Sequence, residues 1–281
     1  MRLRLESGKP QDERREGAPA LPSLAPATKV NYTIRSCHRL EEFEACVRVQ
    51  KEIWGYPDHE LYPLRLFVNI PKIGGHVLGA FSPEDELVGF VASLPGWHGR
   101  RRYYHSLSLG VVPAHENQGL GRALKLEQRR AALKAGIECI EWTYDPLRAK
   151  NAYLNIVRLG AMVRRYLADY YGHVDSKLQQ GLPSDRLVAE WWLKSPRVRR
   201  AIAGKAPRAS AQLPAREVEI PSDIGELLRT RPEEARAIQA AVRQQLEKCF
   251  AAKLAVTGFV IEGPSARYLL DPYEDSTHRN P

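Results

Sequence analysis

The segment Leu109-Gly110-Val111-Val112-Pro113-Ala114-His115-Glu116-Asn117-Gln118-Gly119-Leu120-Gly121-Arg122-Ala123-Leu124 limits what this chain can fold into more than any other. An extended apolar run gives way to a polar turn, two glycines stand two residues apart, and a helix opens with arginine in its first turn. A strand feeding a helix through such a turn aims a row of backbone N–H groups at one point. The positive end of the helix dipole points the same way, so the place suits a diphosphate. The string lacks the G-x-x-x-x-G-K-[ST] of a P-loop, and Leu124 stands where a Rossmann turn would have its third glycine. A lone G-x-G is also an ordinary strand-to-helix turn in which glycine relieves backbone strain. The flanking sequence has to decide.

Upstream, Tyr32 to Arg35 reads as a first strand and Leu40 to Trp54 as a helix with Phe43, Cys46, Val47, Ile53 and Trp54 at helical spacing, stopped by Gly55 and Pro57. Pro63 to Ile70 is a second, helical or irregular stretch. His76 to Phe81 and Glu86 to Leu94 form a hairpin about Ser82-Pro83-Glu84-Asp85, and Arg102 to Val112 is a long central strand. Beyond the turn, Gly121 to Ala135 is a helix capped by Gly136. Its early charges Arg122, Lys125, Arg129 and Arg130 either reach phosphates or form a solvated face. Cys139 to Tyr144 is the next strand, Ala149 to Leu159 a helix, Met162 to Tyr170 a strand, and Leu187 to Leu193 a strand closing the sheet. The alternation implies an α/β (α+β) fold, a mixed sheet with helices on both faces.

The 281 residues allow one large domain and a smaller one. Residues 1–28, rich in Arg, Glu, Pro and Ala, read as a flexible tail, 29–195 as the main domain, 196–216 as a helix and linker, and 217–281 as a small C-terminal α+β module. That module holds a long amphipathic helix from Pro232 to Lys253 and a hairpin of Gly258 to Ile261 with Ala266 to Leu270. The net charge of +9 suits a polyanionic ligand, nucleic acid or a membrane surface, and equally an arginine-rich solvated face. Four cysteines without C-x-x-C spacing point to reduced thiols, with no disulfide framework and no metal site, as in a cytoplasmic protein. No run approaches the roughly 18 apolar residues of a membrane helix, and Met1 to Leu5 lacks the apolar core of a signal peptide. Arg100 to Tyr104 with Trp97 mixes cations and aromatics, but it reads as a loop and strand start; no helix-turn-helix or zinc-finger pattern supports nucleic acid as a partner.

The L-x-V-x-P strand end, the turn Glu116-Asn117-Gln118-Gly119-Leu120-Gly121 and a second block resemble the GNAT N-acetyltransferase superfamily, whose loop reads [Gln or Arg]-x-x-Gly-x-[Gly or Ala]. Glu116 departs from that pattern at its first position. The second block is Glu141-Trp142-Thr143-Tyr144-Asp145-Pro146, then Asn151-Ala152 and Leu159-Gly160-Ala161. With Gly181 to Leu187 and Trp191-Trp192 it is similar to a bacterial group of acetyltransferases without a settled substrate, over about residues 30 to 195.

The resemblance implies a GNAT-like, largely antiparallel twisted sheet flanked by helices, acetyl-CoA as co-substrate, and direct transfer of its acetyl group to the amine of a small molecule. Leu109, Gly110 and Val111 would offer main-chain groups to the pantetheine arm. The N–H groups of Asn117, Gln118, Gly119, Leu120, Gly121 and Arg122 would take the diphosphate, and Asn151 would touch the cofactor. In histone-acetylating relatives a carboxylate base lies six residues before the Val111 position; His105 stands there, on one strand face with 107, 109 and 111 by period-2 alternation. Many relatives carry a leaving-group tyrosine four residues after the alanine of N-A, but here that place is Ile156. Tyr144 is then the candidate acid, unless water protonates the thiolate. Asp145 either positions substrate or caps the turn at Pro146. An acyl-CoA-binding protein without catalysis and a polyanion-binding regulator remain alternatives, and a homodimer is compatible with the chain.

Overall fold

The computed structural model describes residues 31–172, 181–205 and 213–273. The expected tail lies outside them, as does much of the expected linker. Strand β1 (Thr33–Ser36) leads to helix α1 (Leu40–Trp54), which buries Phe43, Cys46 and Val49 along one stripe. Glu42 closes its first turn by accepting from the His38 and Arg39 backbone N–H groups at 2.7 and 3.1 Å. Gly55, at φ 65°, ends it by donating to Lys51 O. Helix α2 (Leu64–Asn69) gives a regular turn to the stretch whose form the sequence left open.

Ten strands form one sheet among the described residues, in the order β1-β2-β3-β4-β5-β7-β6-β9-β10-β8. Strands β2 (His76–Phe81) and β3 (Leu87–His98) pair through the expected turn, where Ser82 N donates to Glu86 O at 2.9 Å. Strand β4 (Arg101–Val111) pairs with β3 from end to end except at one bulge, then feeds helix α3 (Leu120–Lys134). The next strand, β5 (Cys139–Tyr144), is parallel to β4; every other pairing is antiparallel.

Strand β7 (Arg186–Trp192) does not close the sheet as its place in the sequence implied. It inserts between β5 and β6 (Met162–Leu167), antiparallel to both. Its burial explains the position: Leu187, Val188, Ala189 and Trp191 are all in the core, the pattern of a strand covered on both faces. The expected helix from Ala149 to Leu159 starts as α4 (Ala149–Ala152) and widens to a π-helix over Tyr153–Arg158, with Leu159 N donating to Leu154 O at 3.0 Å.

Short α5 (Pro196–Ile202) is capped by Ser195. The C-terminal segment continues the same sheet: β8 (Arg216–Pro221), α6 (Ile224–Thr230), α7 (Pro232–Ala251), β9 (Leu254–Glu262) and β10 (Ser265–Pro272). Strand β9 meets β6 at Val163↔Val256. Apolar side chains sort into two clusters. One lies under β1 to β4 with α1, α2 and the start of α3; the other joins β5 to β10 with α4 to α7, and takes in Tyr104 of β4 and Ala132 of α3. The boundary between the two cores falls at the β4–β5 seam.

Asp185 fastens α7 to the sheet. Its carboxylate, fully buried, accepts from Arg243 Nε at 2.9 Å and Nη2 at 2.5 Å, from Tyr166 Oη at 2.5 Å and from Asp169 N at 2.9 Å. Removing the cation leaves a buried charge short of its partner. The arginine is itself about one-third exposed, which discounts the loss. Arg243→Met should therefore cost about 2 kcal/mol in urea unfolding. The double variant with Asp185→Asn should recover part of it; a loss within experimental error would show the pair to be dispensable.

Candidate functional site

The parallel β4–β5 pairing covers only Tyr104↔Ile140 and His105↔Glu141. Past that point the strands diverge, and the edge of β4 from Ser106 onward is left without a strand neighbour. On its other edge β4 carries a bulge: Ser93 faces Ser106 while Ala92 faces Ser108, so Leu107 is an extra residue. The bulge inverts the alternation. Ser106 meets α3 through Lys125 and Gln128, and Leu109, three residues on, also lies on the α3 side against Gly121. The even spacing that put His105 on one face with 109 and 111 is therefore broken at Leu107.

Val112 N donates to Val88 O, so by the alternation of an antiparallel ladder Gly110 also bonds toward β3. Leu109 and Val111 consequently turn their backbone N–H and C=O groups toward the open seam. Gly110 allows α1 to close over the strand: a Cβ there would sit 2.8 Å from both Ile53 and Trp54 side-chain atoms.

The turn into α3 bends through two left-handed residues, Asn117 at φ 60° and Gly119 at φ 83°. The N–H groups of residues 117 to 122 donate to nothing among the described residues; the first bond of α3 is Ala123 N to Gly119 O, and no side chain caps the helix. A Cβ on Gly119 would meet no atom within 4 Å, and on Gly121 only Leu109 at 3.8 Å, so the space before these amides is open. Tyr32 fixes the outer side of the turn: its hydroxyl bonds Gln118 Oε1 at 2.8 Å and His115 Nδ1 at 2.7 Å. The Arg122 guanidinium turns away, donating to Ile202 O at 2.7 Å, so its contribution to the turn is its amide.

Two cavities meet along the seam. The larger, about 790 Å³, runs from Leu109 to Val111 across the turn at Asn117, Gly119 and Gly121 to Asn151 and Tyr153. Its ionisable walls include Arg122, Arg148, Lys150 and Arg158 against Glu116 and Asp223, a net positive lining. The C-terminal segment supplies Ser222, Asp223 and Ile224 to this wall. The smaller, about 550 Å³, is bounded by Ser106 to Leu109, Trp142 to Asp145, and Tyr56, Glu60 and Tyr62 from the loop after α1. Trp54, Leu109, Arg148, Asn151 and Leu154 border both. Gln50 holds the Tyr62 backbone in place by a reciprocal pair of hydrogen bonds at 2.9 and 3.1 Å. Burial pushes the Tyr62 phenol up to about 12.

Of the two expected catalytic residues, His105 lies where β4 and β5 are still paired and borders neither cavity. Burial lowers its pKa, only partly opposed by the charge of Glu141. Tyr144 does border the smaller cavity, but its hydroxyl is buried beside that of Tyr268, which donates to Pro146 O at 2.7 Å. The Tyr144 hydroxyl itself has no hydrogen bond of normal geometry, and burial raises its pKa. Asp145 accepts from Leu147 N at 2.8 Å, closing the turn at Pro146. Ile156 is fully buried, and Tyr153 is exposed on the wall of the larger cavity.

Sequence reasoning missed the floor of the smaller cavity. Lys125 is 2% exposed and has no carboxylate partner among the described residues. Its Nζ donates to Ser106 Oγ at 3.1 Å and Gln128 Oε1 at 2.9 Å and lies 3.6 Å from the centre of the Trp142 ring. Gln128 in turn donates to Ser93 and Ser106 at 2.7 and 3.0 Å. A desolvated cation–π contact contributes about 2 kcal/mol toward the ammonium. Burial of an unpaired charge opposes it by several kcal/mol, so burial lowers the Lys125 pKa well below the ordinary lysine value. The sequence signal was the spacing of Leu124, Gln128 and Ala132 with Lys125 beside them, a buried stripe that includes polar members.

Residues 40–155 match the acetyltransferase (GNAT) family model. Among solved structures it is similar to NAA60 of Arabidopsis thaliana in complex with acetyl-CoA, at 16% identity over 59% of this chain and 100% of that one, with TM-score 0.48. It is similar to a GNAT-family protein of Desulfovibrio desulfuricans at 16% identity, 58% and 99% coverage and TM-score 0.47. It is also similar to yncA of Salmonella typhimurium, solved with its cofactor acetyl-CoA, at 17% identity, 58% and 95% coverage and TM-score 0.45. No curated protein matches the chain in sequence. No helix among the described residues is long and apolar enough to cross a membrane.

The close approach at Gly110 is testable. Gly110→Val should lower unfolding stability by about 2 kcal/mol, the cost of overpacking. Adding Ile53→Ala should restore part of the loss in the same urea titration; an unchanged midpoint for the single variant would show that α1 does not need the gap.

Proposed function

We propose that this protein is an N-acetyltransferase that moves the acetyl group of acetyl-CoA to the amine of a small molecule by direct attack. The observation that carries this reading is the seam itself: an open edge of β4 running into a turn whose amides have no partner. In this reading the amides of Asn117, Gln118, Gly119, Leu120, Gly121 and Arg122 hold the diphosphate, aided by the α3 dipole. The positive lining of the larger cavity supports the same assignment. The outward main-chain groups of Leu109 and Val111 hold the pantetheine arm, with Asn151 beside it on the shared wall.

The thioester end then falls where the two cavities meet, near the bulge at Leu107, and the smaller cavity receives the acceptor. Its aromatic walls exclude water from the reacting carbon, which strengthens any hydrogen bond made to the developing oxyanion. His105 and Tyr144 do not enter this reading as proton carriers, because one stands outside the cavities and the other turns its hydroxyl to the core. A second reading, acyl-CoA binding without transfer, draws on buried Ile156 where many relatives carry a tyrosine.

Calorimetry with acetyl-CoA tests the cradle. The unaltered protein should bind, and Gly119→Val, which adds a branched side chain at φ 83° in front of the amides, should bind at least about tenfold more weakly with an unchanged circular dichroism spectrum. Free-thiol release over a panel of small amines then separates transfer from binding alone. Absence of acetyl-CoA binding by the unaltered protein would sink both readings.

A further inference from the structure

We propose that Lys125 is a catalytic residue of the acceptor cavity, a single amine that takes the proton from the attacking nitrogen and returns it to the departing sulfur. The proposal rests on the acetyl-transfer reading above and adds the proton path which that reading leaves open.

The geometry comes first. Lys125 projects from α3 to the floor of the smaller cavity, beside Ser106 at the bulge of β4 and against the Trp142 ring of β5. It thus stands at the divergence of the two strands, where the thioester end and the acceptor would meet. Two hydrogen bonds to Ser106 and Gln128 hold its nitrogen, and Gln128 is anchored in turn by Ser93. A neutral amine that donates two hydrogen bonds keeps one lone pair for a proton. No other residue bordering this cavity offers the same combination. Tyr144 buries its hydroxyl and Asp145 closes a turn. Glu60 lies on the loop after α1, and no hydrogen bond among the described residues holds its carboxylate toward Ser106 or Lys125.

The step balances without a further reactant. A C–N bond forms between the acceptor nitrogen and the acetyl carbonyl carbon, and the C–S bond breaks with its electron pair going to sulfur. The nitrogen loses one proton and the sulfur gains one. Neutral Lys125 accepts the first; the resulting ammonium, surrounded by Ser106, Gln128 and the face of Trp142 but by no carboxylate, gives it up to the thiolate. The charged and titratable groups that face Lys125 are His76 of β2 and His105 of β4, both held neutral by burial, with the His76 pKa lowered to about 4. The Trp142 and Trp191 rings lie 3.6 and 5.8 Å from its nitrogen. A lysine pushed by burial toward its neutral form, beside histidines pushed the same way, is a poised acceptor.

Three chains test it: unaltered, Lys125→Met and Lys125→Arg, each checked for folding by circular dichroism and for acetyl-CoA binding by calorimetry. Methionine keeps the volume, and arginine keeps a cation that does not titrate in this range. Both variants should bind acetyl-CoA within about twofold of the unaltered chain while kcat on any amine it turns over falls by about 10²- to 10⁴-fold. The acid limb of the kcat–pH profile should vanish with the lysine. Independently of turnover, NMR of lysine Cε in the full chain should show one signal, absent from Lys125→Met, that titrates well below the other lysines. Variants with unaltered kcat, or a Lys125 signal that titrates at the ordinary lysine pH, would overturn the proposal. Should Met and Arg at 125 both unfold the chain, the NMR titration decides alone. Failure of the unaltered protein to bind acetyl-CoA, or to release thiol with any amine, would instead remove the acetyl-transfer reading, and the proton path with it.

Discussion

The separation of β4 from β5 after two paired residues is the constraint from which the rest follows. Strands that part lose ladder hydrogen bonds, and in a sheet interior those losses have to be met by something else. Helix α3 does not replace those ladder bonds, but it spans the seam. Lys125 and Gln128 reach back to Ser93 and Ser106 on β3 and β4. On the other side Arg129 donates to Leu193 O after β7, and Arg122 to Ile202 O at the end of α5. The helix therefore ties both halves of the sheet together while leaving the parted edges free. The two apolar cores on either side can each pack to completion because neither has to fill the seam.

The diphosphate-type turn was legible because its determinants are local. A left-handed glycine, an absent cap and a helix start are all written within six residues, and the structure keeps every amide of that turn open. The elements flanking it followed from spacing for the same reason: Leu40 to Trp54 reads as a helix and is one, with its glycine stop in place. The position of β7 was not legible from its order in the chain, since a fully apolar strand fits equally well at the edge or between neighbours until its partners are known.

The central strand was misread for a more specific reason. Ser106-Leu107-Ser108-Leu109 looks like uninterrupted alternation, and alternation places His105 beside 109. One unpaired residue at Leu107 reverses the face, and nothing in the local composition marks it. The π-helix at Tyr153 to Arg158 acts in the same way on the counting that led to Ile156. A helical phase of 3.6 cannot be carried through a turn closed by Leu159 N to Leu154 O, six residues for the usual five. Both irregularities lie on the walls of the seam.

Lys125 shows how these constraints meet. A leucine there would continue the stripe of Leu120, Leu124 and Ala132 and would suit the inner face of an ordinary amphipathic helix. The seam has no such ordinary face. Ser93 and Ser106 stand opposite, at the bulge where the β3–β4 ladder is interrupted, and their hydroxyls need partners once buried. Gln128 and Lys125 supply those partners, and the cavity on the far side of Ser106 makes the cluster less costly than it would be inside either core. A polar cluster under the open edge of β4 is thus what allows the strand to bulge. The same bulge turns Leu109 toward α3 and sets the outward main-chain groups in line with the turn. Polarity at the floor and openness at the edge meet at one interrupted ladder.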